Sequence, residues 1–593
     1  MNKGHIAKQA DVLIIGGGLA GLWAAIRARE FAKKVIVAEK GRVARSGVSI
    51  FCHTTFAPVP ASQYEAYLKE QVERTSYLGD QRIVEIFLRE IGDRIKDMIS
   101  WDVEFERNPD GSLKTEAVRG QKVHRSALYT GRDMMMKMRE EALRRGVEFA
   151  ERVMITDLLT TDGMLPTRGE VAGAVGFDTR TADFVVVDAP SVVLSTGAMS
   201  TKTNILYTNG LSGDGQAMAF RAGAEIIDME QCVGQTFGVW NRKFATGGQQ
   251  QFLMNNARIV NRLGERIMER YSTQAKANNP EFDGHIEFGD ICRAMAIENM
   301  EGRGPCYFDL SGWSQENVEK MKKILPTTMA AFDDSGIDVK KDLIESTPTT
   351  ATYCSSQQAG LRITPEFEST VPGLFAAGVT AFVGNGLSPQ GFCNVSGYRA
   401  GEHAAKRALA RSAWRLDEKQ VGRLHEAGVA WMKNTTGPSP EDLYESLNKL
   451  MVPYETSIFK HAKRIQATLR ELGDIERKKL PLANAVDAHA LIKLHEFRNT
   501  VTVLKLIYAS ALERKESRFG HYREEYPYRD DLDWLKWVVA KNDGRGGVSI
   551  RTEPVPLEDY PVKPEKLARI PSNTQYVIKS LMNSSDYGGR RLG

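Results

Sequence analysis

Hydrophobic and polar positions change their period several times along the chain, and those changes outline its elements. Val12–Ile15 is an unbroken apolar run, as expected of a strand buried on both faces. Six residues, Gly16 to Gly21, all small except Leu19, separate it from a helical pattern that runs through Arg29. Val35–Ala38 then forms a second apolar strand that stops at Glu39. Helical periodicity covers Tyr64–Arg74 and Gln81–Ile99, and Thr130-Gly131-Arg132 leads a further helix to Arg145. Strand-like runs at Val147–Phe149, Val171–Phe177 and Phe184–Val187 predict a small antiparallel layer, and Ser191–Gly197 predicts an apolar strand with a small-residue turn. From Met229 to Pro348 the pattern becomes polar and irregular, which predicts a domain inserted into the first. The earlier pattern returns at Gly373–Gly378, followed by a loop over Gly384–Gly397 and a helix of small residues from Tyr398 to Ala410. Gly437-Pro438-Ser439-Pro440 reads as a linker. Asp442–Leu450, Ile458–Leu472 and Ala485–Lys515 then have the period of a three-helix module, ahead of a tail rich in charge, Pro and Tyr.

The first of these units carries specific chemistry. Gly16, Gly18 and Gly21 fit G-x-G-x-x-G between a strand and a helix, and Glu39 ends the next strand about 20 residues on. Such glycines allow a tight turn and close approach to a pyrophosphate at the positive end of a helix. Glu39 would accept from a ribose 2′-hydroxyl, and its charge argues against a 2′-phosphate. Gly213-Asp214-Gly215 opens a later helix, where Asp214 reads either as a ligand or as a helix cap.

Composition narrows the class. At 593 residues the chain exceeds one core and should divide into several domains. A formal net charge of +4 calls for neither nucleic acid nor an anionic membrane. The N-terminal residues show no apolar signal segment and no stretch is long enough to span a bilayer, so a cytoplasmic protein is expected, with any membrane association coming through partner subunits. Cys52, Cys232, Cys292, Cys306, Cys354 and Cys393 have no cluster-ligand spacing and read as scattered buried residues.

Taken in order, these pieces resemble the flavoproteins of the succinate dehydrogenase/fumarate reductase family, which includes L-aspartate oxidase and the large subunit of adenylylsulfate reductase. The resemblance rests on Gly16–Gly21 with Glu39, Arg45-Ser46, Ser195-Thr196-Gly197, Gly213-Asp214-Gly215, the Gly264–Tyr271 segment and the Gly373–Gly378 turn. It extends to a tail signature of Glu516-Ser517-Arg518, His521, Arg523-Glu524 and Arg529-Asp530-Asp531. The resemblance implies an α/β fold with a Rossmann-like FAD-binding domain in two parts (1–235 and 346–415), an inserted α+β capping domain (236–345), a C-terminal helical module (416–515) and a tail (516–593). For the cofactor it implies FAD held by Gly16, Gly18, Leu19, Ala20, Gly21, Glu39, Lys40, Ser46, Gly47, Thr196, Gly197, Asp214, Gly378 and Asn394. It also implies that Arg266 is the proton shuttle facing the flavin, with Arg262 and Arg270 nearby to ease its deprotonation.

The departures from the family pattern matter as much. Covalent members have a histidine after the serine; here Gly47 follows Ser46, so non-covalent FAD is expected, with Cys52 and His53 as packing or pocket residues. Gly234-Gln235-Thr236-Phe237 stands where a His-Pro-Thr-Gly segment is expected, and Thr352-Tyr353 where dicarboxylate enzymes have His-Tyr. The second substrate arginine is missing from Asn385–Ser396. Two carboxylates call for cationic, preferably bidentate donors, so succinate and fumarate are not the expected substrates. Gln235, Thr236, Tyr353, Gln357 and Gln390 are candidate pocket donors for another organic substrate. The alternatives are a large subunit of the adenylylsulfate reductase kind, or a flavin electron-transfer subunit without substrate chemistry of its own. With no second nucleotide fingerprint and no cluster spacing, the electrons are expected to pass to an iron–sulfur subunit. Tyr522, Tyr526, Tyr528, Trp534 and Trp537 in the tail would form a contact surface or pack on the chain itself.

Overall fold

The computed structural model describes residues 5–117, 122–201, 210–232, 237–244, 250–278, 288–348, 358–383, 389–411, 416–572 and 574. Its centre is a five-stranded parallel sheet in the order Leu374–Ala376, Ser191–Leu194, Val12–Ile15, Val35–Glu39, Glu148–Glu151. The continuous apolar runs follow from its burial on both faces: Val12–Ile15, Val35–Glu39 and Ser191–Leu194 are buried at every position. The Leu19–Ala28 helix crosses from the first strand to the second and packs along the Pro389–Ala410 helix. That packing needs small residues. A Cβ on Gly397 would lie 2.4 Å from the Ala20 carbonyl oxygen, and one on Gly401 2.2 Å from that of Ala24.

One expectation is corrected here. The run Val147–Phe149 does not join the antiparallel layer; its strand, Glu148–Glu151, pairs in parallel with Val35–Glu39 and closes one edge of the central sheet. The second layer is instead His5–Gln9, Phe184–Asp188, Val171–Asp178 and Val153–Thr160, in that order. Short apolar runs share one pattern in either kind of sheet, so only pairing partners separate the two.

Phe237–Val239, Ile344–Pro348, Cys306–Asp309 and Arg258–Val260 form a separate antiparallel sheet. Its core is aromatic, with Phe252 edge-on to both Phe308 and Trp313. The helices Pro440–Met451 and Ala462–Asp474 pack on the 26-residue helix Ala488–Glu513. That long helix starts at Asp487, whose carboxylate accepts from the Ala490 amide at 2.8 Å.

The tail returns to the first domain. Lys536–Asn542 pairs with Ile226–Ile227 and with Val548–Pro554. Beneath it lies a sealed ionic network: Arg514 contacts Asp228 at 3.0 Å, Glu230 at 2.5 Å and Glu516 at 2.8 Å, and Arg518 contacts Glu516 at 2.7 Å and Asp531 at 2.9 Å. The charged tail signature is thus a buried lock between tail and body, where each charge has to be paired. Tyr522 and Trp537 are buried against the chain itself, which removes them from any contact surface, while Tyr526, Tyr528 and Trp534 stay half-buried. Cys292 and Cys306 are buried, Cys52 and Cys393 are half-buried, and Cys232, read as a single buried residue, is disulfide-bonded. Cys354 lies outside the described residues. No described helix is long and apolar enough to cross a membrane.

Candidate functional site

The carboxyl ends of the central strands open onto a cavity of about 590 Å³, where the nucleotide-binding turn, the Ser46–Thr54 stretch and the Ser195–Ala198 turn converge. Gly16 turns the chain there at φ +106°, and a Cβ on it would lie 2.4 Å from the Ser195 carbonyl oxygen. Gly21 serves packing, not the ligand: its Cβ position is 1.9 Å from the Gly16 carbonyl oxygen, and it does not line the cavity. Gly18 is the N-cap of the Leu19–Ala28 helix and supplies no side-chain cap, so this helix end faces the cavity with Gly18, Leu19 and Ala20 on its wall. The Leu19 amide there donates to Ser49 Oγ at 3.2 Å, and a helix N-terminus on a cavity wall suits a phosphate.

Glu39 is buried at the end of its strand. One carboxylate oxygen accepts from the Gly17 amide at 2.8 Å and the other from the Gly41 amide at 2.9 Å. Burial raises its pKa, and those two amides oppose the rise. Lys40 donates to Ser212 Oγ at 2.8 Å, Asp214 Oδ2 at 2.9 Å and Glu496 Oε1 at 2.8 Å. Burial works against its charge, but the carboxylates of Asp214 and Glu496 outweigh it and hold the ammonium well above its ordinary pKa. Asp214 is not a cap, since the N-cap of its helix is Gly213, at φ +70°. Instead it accepts from Ser212 Oγ at 2.9 Å and from Asn499 Nδ2 at 2.8 Å. Thr196 Oγ1 accepts from the Gly215 amide at 2.9 Å, which ties two of the loops together.

Ser46, Gly47, Gly197 and Gly378 also line the cavity. Gly47 has φ +87° and open space where a side chain would project. Further along the wall stand Cys52, His53, Gln390 and Cys393. Gln390 donates to Cys52 Sγ, and its Oε1 is buried without a hydrogen-bond partner among the described residues. Burial holds the His53 imidazole below its ordinary pKa, against smaller opposing effects of the Phe51 backbone and Glu116, so it is neutral at pH 7. An orphaned amide oxygen, a neutral imidazole and an apolar wall fit a polar aromatic ring system. The acid-and-helix end fits an ADP group. FAD combines the two.

Besides Gly21, two expected residues stand elsewhere. Asn394 is buried in the seam between the two packed helices, accepting from Trp23 Nε1 at 3.0 Å and donating to Thr55 Oγ1 at 3.3 Å, and it does not line the cavity. Arg266 lies at the start of the Ile267–Asn278 helix with its side chain 46% exposed, paired with Glu269 at 2.7 Å and away from the cavity wall. Arg270, expected to repel it, is paired with Glu265 at 2.8 Å. Gln235, Thr236, Tyr353 and Gln357 lie outside the described residues. In the other direction, Val153–Ile155 and a face of the Ala488–Glu513 helix join the wall although their sequence gives no nucleotide-binding signal. The one available hint is Glu496, the only acid of that helix besides its last residue, Glu513.

The comparisons with known proteins agree with this geometry. Residues 11–391 match the family described as FAD binding domain, and 445–568 match Fumarate reductase flavoprotein C-term. A relative from Methanothermobacter marburgensis, one of the subunits of fumarate reductase (CoM/CoB), is 29% identical over 88% of this chain and 95% of its own length. Among solved structures, E. coli quinol fumarate reductase FrdA superposes with a TM-score of 0.81 at 23% identity, covering 94% of this chain and 98% of that one. Adenylylsulfate reductase from Archaeoglobus fulgidus superposes with a TM-score of 0.78 at 22% identity, covering 95% and 97%.

Proposed function

Because the chain belongs to the succinate dehydrogenase/fumarate reductase family of FAD-dependent oxidoreductases, we propose that it oxidises or reduces a carbon centre of an organic substrate other than succinate or fumarate. The observation that carries this reading is the cavity, which joins an ADP-type end at Glu39 to a ring-type end at His53 and Gln390. FAD bound there supplies hydride chemistry at carbon. The chain's own share is to hold the cofactor, exclude water and move one proton. Arg266 is the proposed proton donor or acceptor, a role that requires it to leave Glu269 and turn towards the substrate when the 237–348 domain closes.

The substrate side supports an acceptor other than a dicarboxylate. No arginine stands among the described residues of the cavity wall, and Gly234 and Thr352 replace the histidines expected for carboxylate binding. This sets the chain apart from several of its relatives, fumarate reductases among them. Electrons are proposed to leave through a separate iron–sulfur protein, since the chain has one dinucleotide fingerprint and no cluster-ligand spacing.

A stopped-flow screen tests the proposal. The photoreduced protein, mixed anaerobically with organic acids and ring compounds, should be reoxidised by one class of organic acceptor and not by fumarate. Fumarate-dependent reoxidation at an enzyme-like rate, on the order of 10 per second, would overturn the substrate claim. A flavin adduct formed only with AMP plus sulfite would redirect it to adenylylsulfate chemistry.

A further inference from the structure

The FAD cavity has a wall built by a different part of the chain. His489, Ile492, Lys493 and Glu496 line it from the Ala488–Glu513 helix, which belongs to the C-terminal module. Glu496 is buried between two lysines: one oxygen accepts from Lys40 Nζ at 2.8 Å and the other from Lys493 Nζ at 2.9 Å. Lys40 is the neighbour of Glu39. This chain of contacts links Lys493, through Glu496 and Lys40, to the strand end that carries Glu39, and Lys493 and Glu39 line the same cavity.

The next turn of the helix fixes it in that position as well. Asn499 donates to Asp214 Oδ1 at 2.8 Å and accepts from Arg221 Nη1 at 2.9 Å, and Arg498 pairs with Asp157 at 2.9 Å. Asp157 is held down to about 2 because Arg221 and Arg498 outweigh its burial. These partners belong to the first domain, so the helix cannot drift without breaking buried ion pairs. Lys493 is thus a long cationic side chain on a rigid element, 31% exposed. An ammonium has three donors, and its contact with Glu496 takes one of them.

We propose that Lys493 donates directly to the ADP half of FAD, and that the C-terminal helical module is a clamp whose docking and cofactor binding stabilise each other. Sequence position conceals this, since more than 450 residues separate Lys493 from Glu39. The module is more than a platform for other subunits: it forms part of the cofactor site.

The inference rests on FAD being the cofactor, which titration of the wild-type apoprotein with FAD checks separately. The deciding experiment removes flavin from the full-length protein and titrates wild type and Lys493→Met with FAD and with ADP. Losing one charge-assisted hydrogen bond should weaken both ligands about tenfold. Lys478→Met, a change in the same module at a side chain 69% exposed and, among the described residues, paired with Asp474 alone, should weaken neither. Melting curves separate contact from scaffold: apo Lys493→Met should melt with apo wild type, and only its FAD-induced rise should shrink. Unchanged affinity for both ligands would overturn the proposal. So would weakened FAD with unchanged ADP, or an apo melting temperature lowered by as much as the FAD-induced rise.

Discussion

Lys460 offers the sharpest physical test of the tertiary packing. It is fully buried between the helical module and the tail, its backbone held by Tyr522 and Glu524, and its Nζ has no hydrogen-bond partner among the described residues. The guanidinium groups of Arg523 and Arg293, the imidazole of His521 and the carboxylate of Glu230 face it. Burial, reinforced by the two guanidinium groups and opposed by Glu230, lowers its pKa from 10.5 to about 7. Between pH 7 and 10.5 the unfolded chain therefore holds a proton that the native state does not. Stability must rise with pH across that window, because the unfolded state binds more protons. At about 1.36 kcal/mol per pH unit the full effect is about 5 kcal/mol, of which about 2 kcal/mol falls between pH 7 and 9. Lys460→Met keeps the stem volume and removes the titration. Urea unfolding of both proteins at pH 6, 7, 8 and 9 should show the variant's relative stability falling by about 2 kcal/mol from pH 7 to 9, while other ionising groups cancel in the comparison. Parallel pH profiles for the two proteins would refute the argument and would mean that Lys460 keeps an ordinary pKa through solvent or a partner.

Four further outcomes follow from the same structure. Acid precipitation should leave the flavin in the supernatant, because Gly47 offers no side chain for attachment; yellow colour in the pellet would point to Cys52 or His53. Arg266→Ala should lower turnover about 10²–10⁴-fold with FAD content unchanged, and Arg266→Lys should restore little, since the ammonium is shorter and differently directed; near-normal rates would leave Arg266 as a surface ion pair with Glu269. Gly397→Val should place a methyl against the Ala20 carbonyl and Trp23 Cβ, whose separations from a Cβ are already 2.4 and 2.7 Å, costing about 1–3 kcal/mol or more. Its readout is lost flavin content, because the displaced helix carries the phosphate end of the site. Anaerobic purification of the native assembly should bring down iron and labile sulfide absent from the isolated chain, and a lone flavoprotein with rapid dioxygen-dependent turnover would contradict that.

What the sequence by itself determined is local. Val12–Ile15, the glycines, the helix behind them and Glu39 lie within 28 residues, so spacing alone places the turn, the helix N-terminus and the acid against one another. The Gly384–Gly397 stretch, by contrast, reads as a loop, whereas from Pro389 onward it is helix and Gly397 packs against the Leu19–Ala28 helix. The tertiary structure decided what depends on distant surfaces meeting. Apolar periodicity records that a face is buried but not against what, so Val147–Phe149 reads the same whether its strand joins a parallel or an antiparallel sheet. Asn394 offers the same amide to a flavin or to Trp23 and Thr55, and only helix packing chose the latter. The charges of Arg514, Glu516 and Arg518 do not by themselves name the partners Asp228 and Glu230 that Arg514 meets in the fold. Lys493 reaches the nucleotide wall because buried ion pairs of Arg221 and Arg498 with Asp157, about 340 residues away in the chain, hold its helix in place, and no local spacing encodes a contact of that range.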